Sequence, residues 1–178
     1  NFQKILNKTK FYKADIRDFS TLKKIFQDEK PDIVNHHAAE ASVSAGSISV
    51  FENNVLGTLN LLELAKEFEI KKFIFASSAA VYGRAKVFPI KEKAELKPLS
   101  EYGISKLAAE YYLQLYQKYF SVIIFRYGNV YGSRQDSTNE GGVVSIFGQK
   151  VLNNKPCQIY GDGKQIRCFT YVSDLADG

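Results

Sequence analysis

An α/β fold on a doubly wound parallel sheet is what this sequence predicts, and three observations predict it. Short apolar runs rich in β-branched and aromatic residues alternate with longer stretches of helical period. Each interval between successive apolar runs is long enough for a crossover helix, the connection that parallel strands require. With 178 residues, 45% of them hydrophobic, the chain can bury one sizeable core. No internal repeat or low-complexity segment interrupts the alternation.

Taken in order, Phe11 to Ala14 reads as a short strand ending at Asp15, and Ser20 to Glu29 as a capped amphipathic helix. Pro31 precedes a strand over Asp32 to Asn35. Asn53 to Phe68 is a long helix with Leu56, Leu59, Leu62 and Leu64 among its apolar positions. Lys72 to Ser77 is an apolar, aromatic-rich buried strand whose carboxyl end delivers Ser77 and Ser78. Ser105 to Tyr119 is helical, and Val122-Ile123-Ile124-Phe125 is the next strand. This succession is a Rossmann-type core.

The texture changes from Gly132 onward. Ser133 to Gly142 is a polar, glycine-containing loop of the mobile kind, and Val143 to Leu152 is a helix. Ile159 to Gly163 reads as a strand end and tight turn, Phe169 to Val172 as a short strand, and Asp174 as a helix cap. We place a boundary between residues 1–132 and 133–178. A Rossmann sheet opens with a strand, a glycine-rich turn and a helix that receives a pyrophosphate on its N-terminus. Nothing before Phe11 supplies that unit, and the first glycine, Gly46, lies in a polar loop. The expectation is a sheet lacking its first β-α unit, followed by the start of a small C-terminal lobe.

Charge and composition narrow the partners. The net charge is +5, but Lys8, Lys10 and Lys13, then Lys23 and Lys24, then Lys71 and Lys72 are scattered, with no dense basic block. Nucleic-acid binding is therefore not expected. No apolar run is long enough to span a bilayer and the N-terminus lacks a signal-peptide pattern, so a cytoplasmic setting with no membrane association is expected. Cys157 and Cys168 lack CxxC spacing, which points to neither a disulfide framework nor a thiolate metal site. His36 and His37 point to opposite sides if they end a strand, which argues against joint metal ligation. No metal is expected.

The chemistry concentrates in Tyr102-Gly103-Ile104-Ser105-Lys106, preceded by Ser77-Ser78-Ala79-Ala80-Val81-Tyr82-Gly83. On a helix, Tyr102 and Lys106 share one face. An ammonium beside a phenol favours the phenolate, lowering a pKa whose ordinary value is about 10 and giving a general base that needs no metal. The same spacing arises by chance in amphipathic helices, and serines at a strand end are also common turn or cap residues. Ligands of open parallel sheets sit beyond the carboxyl ends of strands, where Ser77 and Ser78 are placed.

Seven motifs, in order, resemble those of the extended short-chain dehydrogenase/reductases, the NAD-dependent epimerase/dehydratase family, and most of all its UDP-glucose 4-epimerases. They are Asp15-Ile16-Arg17-Asp18, His36-His37-Ala38-Ala39, Asn53-Asn54-Val55-Leu56-Gly57-Thr58, Ser77 to Gly83, the YxxxK, Arg126-Tyr127-Gly128-Asn129 and Arg167 to Asp174. The resemblance makes residues 1–132 a partial NAD-binding domain and 133–178 the beginning of a substrate-binding region. It implies NAD as cofactor. Asp15 would meet the adenine amino group and the Ile16 N–H a ring nitrogen. His37, Ala38 and Ala39 would form a turn that lets backbone approach the cofactor, and Asn54 would lie in the cofactor region or tie a loop to a helix. Gly128 would lie near the nicotinamide.

On the substrate side the resemblance implies Asn129, Gln158, Ile159, Tyr160 and Arg167 around a UDP-sugar, with Val143 either lining the uridine pocket or belonging to the core. Arg167 suits a diphosphate because its guanidinium is a rigid fork of donors, the alternative being a structural salt bridge. Cys168 stands where the family usually has an acidic residue. The implied catalytic set is Ser78, Tyr102 and Lys106. Tyr102 would take the 4-hydroxyl proton, Ser78 would hold the 4-oxygen, and Lys106 would lower the tyrosine pKa and hold the nicotinamide ribose, giving a transient 4-keto sugar. The family's 4,6-dehydratases carry Asp-Glu after the catalytic Ser/Thr. Ala79 and Ala80 stand there here, which favours epimerisation of UDP-glucose/UDP-galactose, with UDP-N-acetylhexosamine or UDP-glucuronate as alternatives. The helices with Leu56 to Leu64 and Leu107 to Tyr119 resemble the pair that forms the family's homodimer interface. Tyr111, Leu115 and Tyr119 fit such a face, or pack on their own sheet. A catalytically inactive binding or assembly fragment is the reading from a different class.

Overall fold

The computed structural model describes residues 8–41, 46–137 and 142–177. Helix α1 (Phe19–Glu29) starts where the Asp18 carboxylate accepts the Thr21 N–H, stops at Lys30 in the left-handed region (φ 44°), and buries Leu22 and Phe26. Strand β1 (Ile33–His36) follows. A continuous helical stretch comes next: α2 (Ser47–Phe51), a wide π-type turn (Glu52–Leu56) and α3 (Gly57–Glu67). Strand β2 (Lys72–Ser78) ends in a tight 3-10 turn (Ala79–Tyr82), and α4 (Glu101–Tyr116) leads to β3 (Ser121–Tyr127). The C-terminal part holds β4 (Asn129–Tyr131), α5 (Val143–Leu152), β5 (Phe169–Tyr171) and α6 (Val172–Asp177). Residues 138–141 of the loop expected over Ser133 to Gly142 lie outside the described residues.

Strands β1, β2 and β3 form a parallel sheet in that order, and β4 pairs with β5, also in parallel. The register places Val34, Phe73 and Val122 side by side, and two residues on His36, Phe75 and Ile124. Because side chains alternate along a strand, these residues share one face with Ser77 and Arg126. That face is the covered one. Phe73 and Phe75 are completely buried beneath Leu62, Leu64, Ala109 and Leu113, with Leu22 and Phe26 of α1 in the same cluster. Ile33 (51%) and Phe125 (36%) keep much of their surface on the opposite face.

The α/β parallel-sheet architecture follows the sequence, with local differences. Phe11–Ala14 joins neither sheet, because a strand exists only where a neighbour completes its ladder and neither sheet reaches it. The long helix begins at Ser47 rather than Asn53, the π-type turn absorbing Asn53, Asn54 and Val55 without a break. Helix α4 begins four residues before Ser105, since the Ser100 hydroxyl accepts the Gly103 N–H at 3.1 Å. It stops short of Tyr119. The last turn is given up so that Phe120 can stack on Phe73, ring centroids 6.0 Å apart, as the chain swings into β3. Gly161 and Gly163 form the expected turn with positive φ, but Ile159 and Tyr160 are in no strand. Asp174 lies in the first turn of α6 rather than capping it, because the helix follows β5 directly.

Phe73 is the centre of this packing. Phe73→Ala is expected to lower unfolding free energy by about 3–5 kcal/mol, read by urea denaturation; a loss under about 1 kcal/mol would contradict its central place.

Candidate active site

Three close approaches bring β2 and α4 together. At Gly83 (φ +59°) a Cβ would lie 1.8 Å from the Lys97 carbonyl oxygen, so the turn after β2 folds back tightly on the segment leading into α4. At Gly103 a Cβ would lie 2.8 Å from the Ala80 carbonyl oxygen, so the first turn of α4 lies directly against the 79–82 turn. The Ser78 hydroxyl accepts the Ala80 N–H at 3.1 Å and lies near enough to the Tyr102 phenol to draw its pKa down. Ser78, Tyr102 and Lys106 therefore converge.

Lys106 is 2% exposed, and its ammonium donates to the Ala76 carbonyl at 2.7 Å. It lies 4.8 Å from the Phe75 ring centre and 5.8 Å from that of Tyr102. Burial pulls its pKa down to about 8. Burial also pushes the Tyr102 phenol above its ordinary value, with the Ser78 hydroxyl opposing. The sequence-based expectation of a Tyr102 lowered by Lys106 is thus not met in this state: the ammonium bonds the strand carbonyl rather than the phenol, and desolvation wins.

Beneath these residues runs a buried polar chain that sequence reasoning did not assemble. Thr58 donates to the Asn54 carbonyl at 2.6 Å, so its oxygen must accept from His36 Nε2 at 3.0 Å, which assigns the His36 proton to Nε2. Burial and nearby Lys106 push His36 down to about 3, so it is neutral. Asn54, 1% exposed, donates to the Glu40 carbonyl and to Ser105, both at 2.9 Å, and accepts the Glu40 N–H at 2.7 Å. Ser105 donates onward to the Tyr102 carbonyl at 2.8 Å. Asn54 is thereby committed to tying the 37–41 loop to α4.

The other residues expected around a cofactor lie along the carboxyl end of the sheet. Asp15 receives a forked ion pair from Arg17, closest approach 2.7 Å, which holds its carboxyl down to about 2. Ile16 lies where a side chain at Gly57 would collide with it, 2.5 Å from a Cβ, and the Asn60 amide donates to the Ile16 and Arg17 carbonyls at 3.0 and 3.2 Å. Gly57 and Asn60 position this loop, although the sequence showed Asn60 only as a helix residue and gave Gly57 no role within its motif. His37, Ala38 and Ala39 are exposed after β1, opposite in side to buried His36 as alternation requires, and the His37 and Tyr127 rings are 5.9 Å apart. Gly128 is exposed, with nothing within 4 Å of where a Cβ would stand.

Asn129, Val143, Gln158, Ile159, Tyr160 and Arg167 all line one cavity of about 950 Å³, joined there by Lys150 and Lys155. Val143 is 43% exposed, which places it on that wall rather than in the core. Arg167 makes no ion pair among the described residues; its guanidinium donates only to the Ile166 carbonyl, at 2.9 Å. Asn129 donates to the Cys168 carbonyl at 3.1 Å, joining β4 to the segment before β5. The two lysines were missed because single basic residues near a helix end look like ordinary surface.

His36 carries a pH signature. Its folded pKa lies below the unfolded value near 6.5, so the unfolded chain binds the extra proton, and stability present above that value drains away as pH falls towards 3. From pH 7.5 to pH 5 this residue is expected to remove about 2 kcal/mol from the unfolding free energy. In His36→Gln urea titrations that part of the loss should vanish; an unchanged slope would contradict a buried neutral imidazole.

No helix among the described residues is long and apolar enough to cross a membrane. The model of the NAD dependent epimerase/dehydratase family matches residues 1–178. A Methanocaldococcus jannaschii protein that carries the name UDP-glucose 4-epimerase provisionally is 44% identical over 183 residues, covering 99% of this chain and 59% of that protein. A Dictyostelium discoideum dTDP-D-glucose 4,6-dehydratase is 40% identical over 182 residues, covering 93% of this chain and 41% of the relative. The crystal structure of Thermus thermophilus UDP-glucose 4-epimerase in complex with NAD matches with a TM-score of 0.91 at 36% identity, over 99% of this chain and 61% of that one. The chain thus spans about half the length of these relatives. Its Rossmann-type sheet and the match along its full length agree: the chain belongs to the NAD-dependent epimerase/dehydratase family, whose cofactor is NAD.

Proposed function

We propose that the protein carrying this chain interconverts UDP-glucose and UDP-galactose at C4 through a transient 4-keto sugar, in the cytoplasm. The observation that carries this reading is the convergence of Ser78, Tyr102 and Lys106 followed by Ala79-Ala80. Two methyl side chains can neither donate nor accept a proton, so the turn offers no acid and base for eliminating water. This favours epimerisation over the dehydration named for the Dictyostelium relative. UDP-N-acetylhexosamine and UDP-glucuronate are the nearest other substrates.

The residues present fit NAD. Gly128 leaves open space, Ala38 and Ala39 offer small side chains on an exposed loop, and Asp15 keeps an ionised carboxylate able to accept an amino group. Asp15, Ile16, His37, Ala38, Ala39 and Gly128 would hold it, with Asn54 fixing the loop from beneath and Ser78, Tyr102 and Lys106 facing its reactive end. When bound, NAD supplies the acceptor and then the donor of the C4 hydride. Tyr102 takes the proton of the 4-hydroxyl and returns it, and Ser78 hydrogen-bonds the 4-oxygen throughout. Lys106, charged below about pH 8 and with its ammonium 5.8 Å from the Tyr102 ring centre, favours the phenolate by its charge. The Arg167 fork would take the diphosphate, with Asn129, Val143, Gln158, Ile159 and Tyr160 around the rest of the nucleotide, so residues 133–178 begin the substrate-binding region and 1–132 the NAD-binding one.

A homodimer completes the reading. Ile104, Tyr111 and Leu115 on α4 are 57%, 54% and 65% exposed, and Tyr119 just beyond it 46%, an apolar stripe that does not pack on its own sheet.

Tyr102→Phe in the whole protein should lower UDP-galactose turnover by roughly 10²–10⁴-fold while NAD stays bound; retained turnover would exclude Tyr102 as the base. Lys106→Ala should reduce activity and move the acid limb of the pH profile upward. Leu115→Glu should halve the sedimentation mass, and an unchanged mass would place any dimer contact elsewhere.

A further inference from the structure

Glu110 is a charged residue with no exposure at all, and the chemistry assigned above does not use it. It sits on α4 one turn beyond Lys106 and two turns beyond Tyr102, facing the sheet. Its carboxylate is held by two adjacent strands at once. From β2 the Ser77 hydroxyl donates to Oε1; from β3 Arg126 donates Nε to Oε1 at 3.0 Å and Nη2 to Oε2 at 2.7 Å. Ser77 and Arg126 are register partners in the parallel ladder, so the carboxylate spans one rung of the sheet. The remaining arm of Arg126 donates to the Tyr82 hydroxyl and to the Glu92 carbonyl, both at 2.8 Å.

Ser78 is therefore bracketed. The residue before it is fixed through Ser77 to Glu110, and the turn after it through Tyr82 to Arg126. Glu110 in turn rides on the same rigid helix as Tyr102. The geometry points to the Glu110–Arg126 pair as a positioning pair that sets the Ser78 hydroxyl against the Tyr102 phenol, and so tunes the reaction proposed above without touching substrate or cofactor. The inference rests on the reading of Ser78 and Tyr102 as the reacting pair. A forked guanidinium–carboxylate fixes direction as well as distance, which a lysine cannot do, and a displacement of about 1 Å at a reacting group can lower turnover by about 100-fold.

Replacing both charges by apolar residues of similar volume separates positioning from stability, because such swaps of buried pairs are often tolerated. In Glu110→Met/Arg126→Leu the expected result is a melting temperature near that of the unaltered protein, an unchanged KM for UDP-galactose and a kcat lowered roughly 10–100-fold. Arg126→Lys keeps the charge, loses the fork, and should lower kcat in the same direction should the double variant not fold. A second readout needs no turnover: the ring-carbon NMR signal of Tyr102 in tyrosine-labelled protein, identified by its loss in Tyr102→Phe. In the unaltered protein Ser78→Ala should move this signal, since it removes the hydroxyl that acts on the phenol; in the Glu110 or Arg126 variant the same change should move it little. A folded variant with kcat within twofold of the original, or one in which Ser78→Ala still moves the Tyr102 signal fully, overturns the proposal. Absence of turnover on any UDP-sugar by the unaltered protein would sink the functional reading, while the NMR comparison would still judge the positioning pair.

Discussion

The docking of α4 on β2 is the constraint on which the rest of this molecule depends. It is apolar at its centre, where Ala109 and Leu113 close over Phe73 and Phe75, and polar towards the strand ends, where Lys106 reaches the Ala76 carbonyl and Glu110 reaches Ser77. Apolar contact supplies most of the free energy but little direction, since a helix can slide or rotate on a greasy face at small penalty. The polar rungs remove that freedom. Each leaves a buried charge or donor unmatched if the helix shifts, and a buried unpaired charge is far more costly than a lost van der Waals contact.

Two glycines let that docking become a site. Any side chain at Gly103 would meet the Ala80 carbonyl, and Gly83 carries a backbone conformation that other residues rarely adopt. Together they press the first turn of α4 against the turn that follows β2, which is why Tyr102 meets Ser78 rather than solvent. The YxxxK pattern is thus more than a spacing of two functional groups. Its second residue makes room for the contact.

Electrostatically the site is held in tension. Lys106 is buried deeply enough that its proton becomes labile near neutral pH, and the same burial raises the Tyr102 phenol. His36 behind them has yielded entirely and stays neutral, adding no second positive charge beside Lys106. In this state the Tyr102 phenol therefore holds its proton, because burial disfavours the charged phenolate.

Much of this was legible in the sequence because the deciding signals are local. Apolar runs and their spacing predicted the parallel sheet and its helices, and the serine pair after β2 and the YxxxK marked the residues that the fold brings together at the end of β2. Val143–Leu152 is a helix with the bounds its periodicity predicts. What the sequence could not supply were features that depend on partners distant in the chain. Phe11–Ala14 has strand-like residues but no ladder, and the end of α4 was set by where Phe120 had to pack, far along the chain from Phe73. Tyr102 carries a raised rather than lowered pKa because burial desolvates its phenol while the Lys106 ammonium bonds the Ala76 carbonyl, neither of which is visible from i, i+4 spacing. Glu110 and Arg126, ordinary charges in the sequence, become an ion pair, with Glu110 buried and Arg126 partly so, only when β2 and β3 lie in register under α4. Residue identity and spacing determined which groups this protein could use; burial, which exists only once the chain has folded, decided which of them are charged, which are paired and which remain free to act.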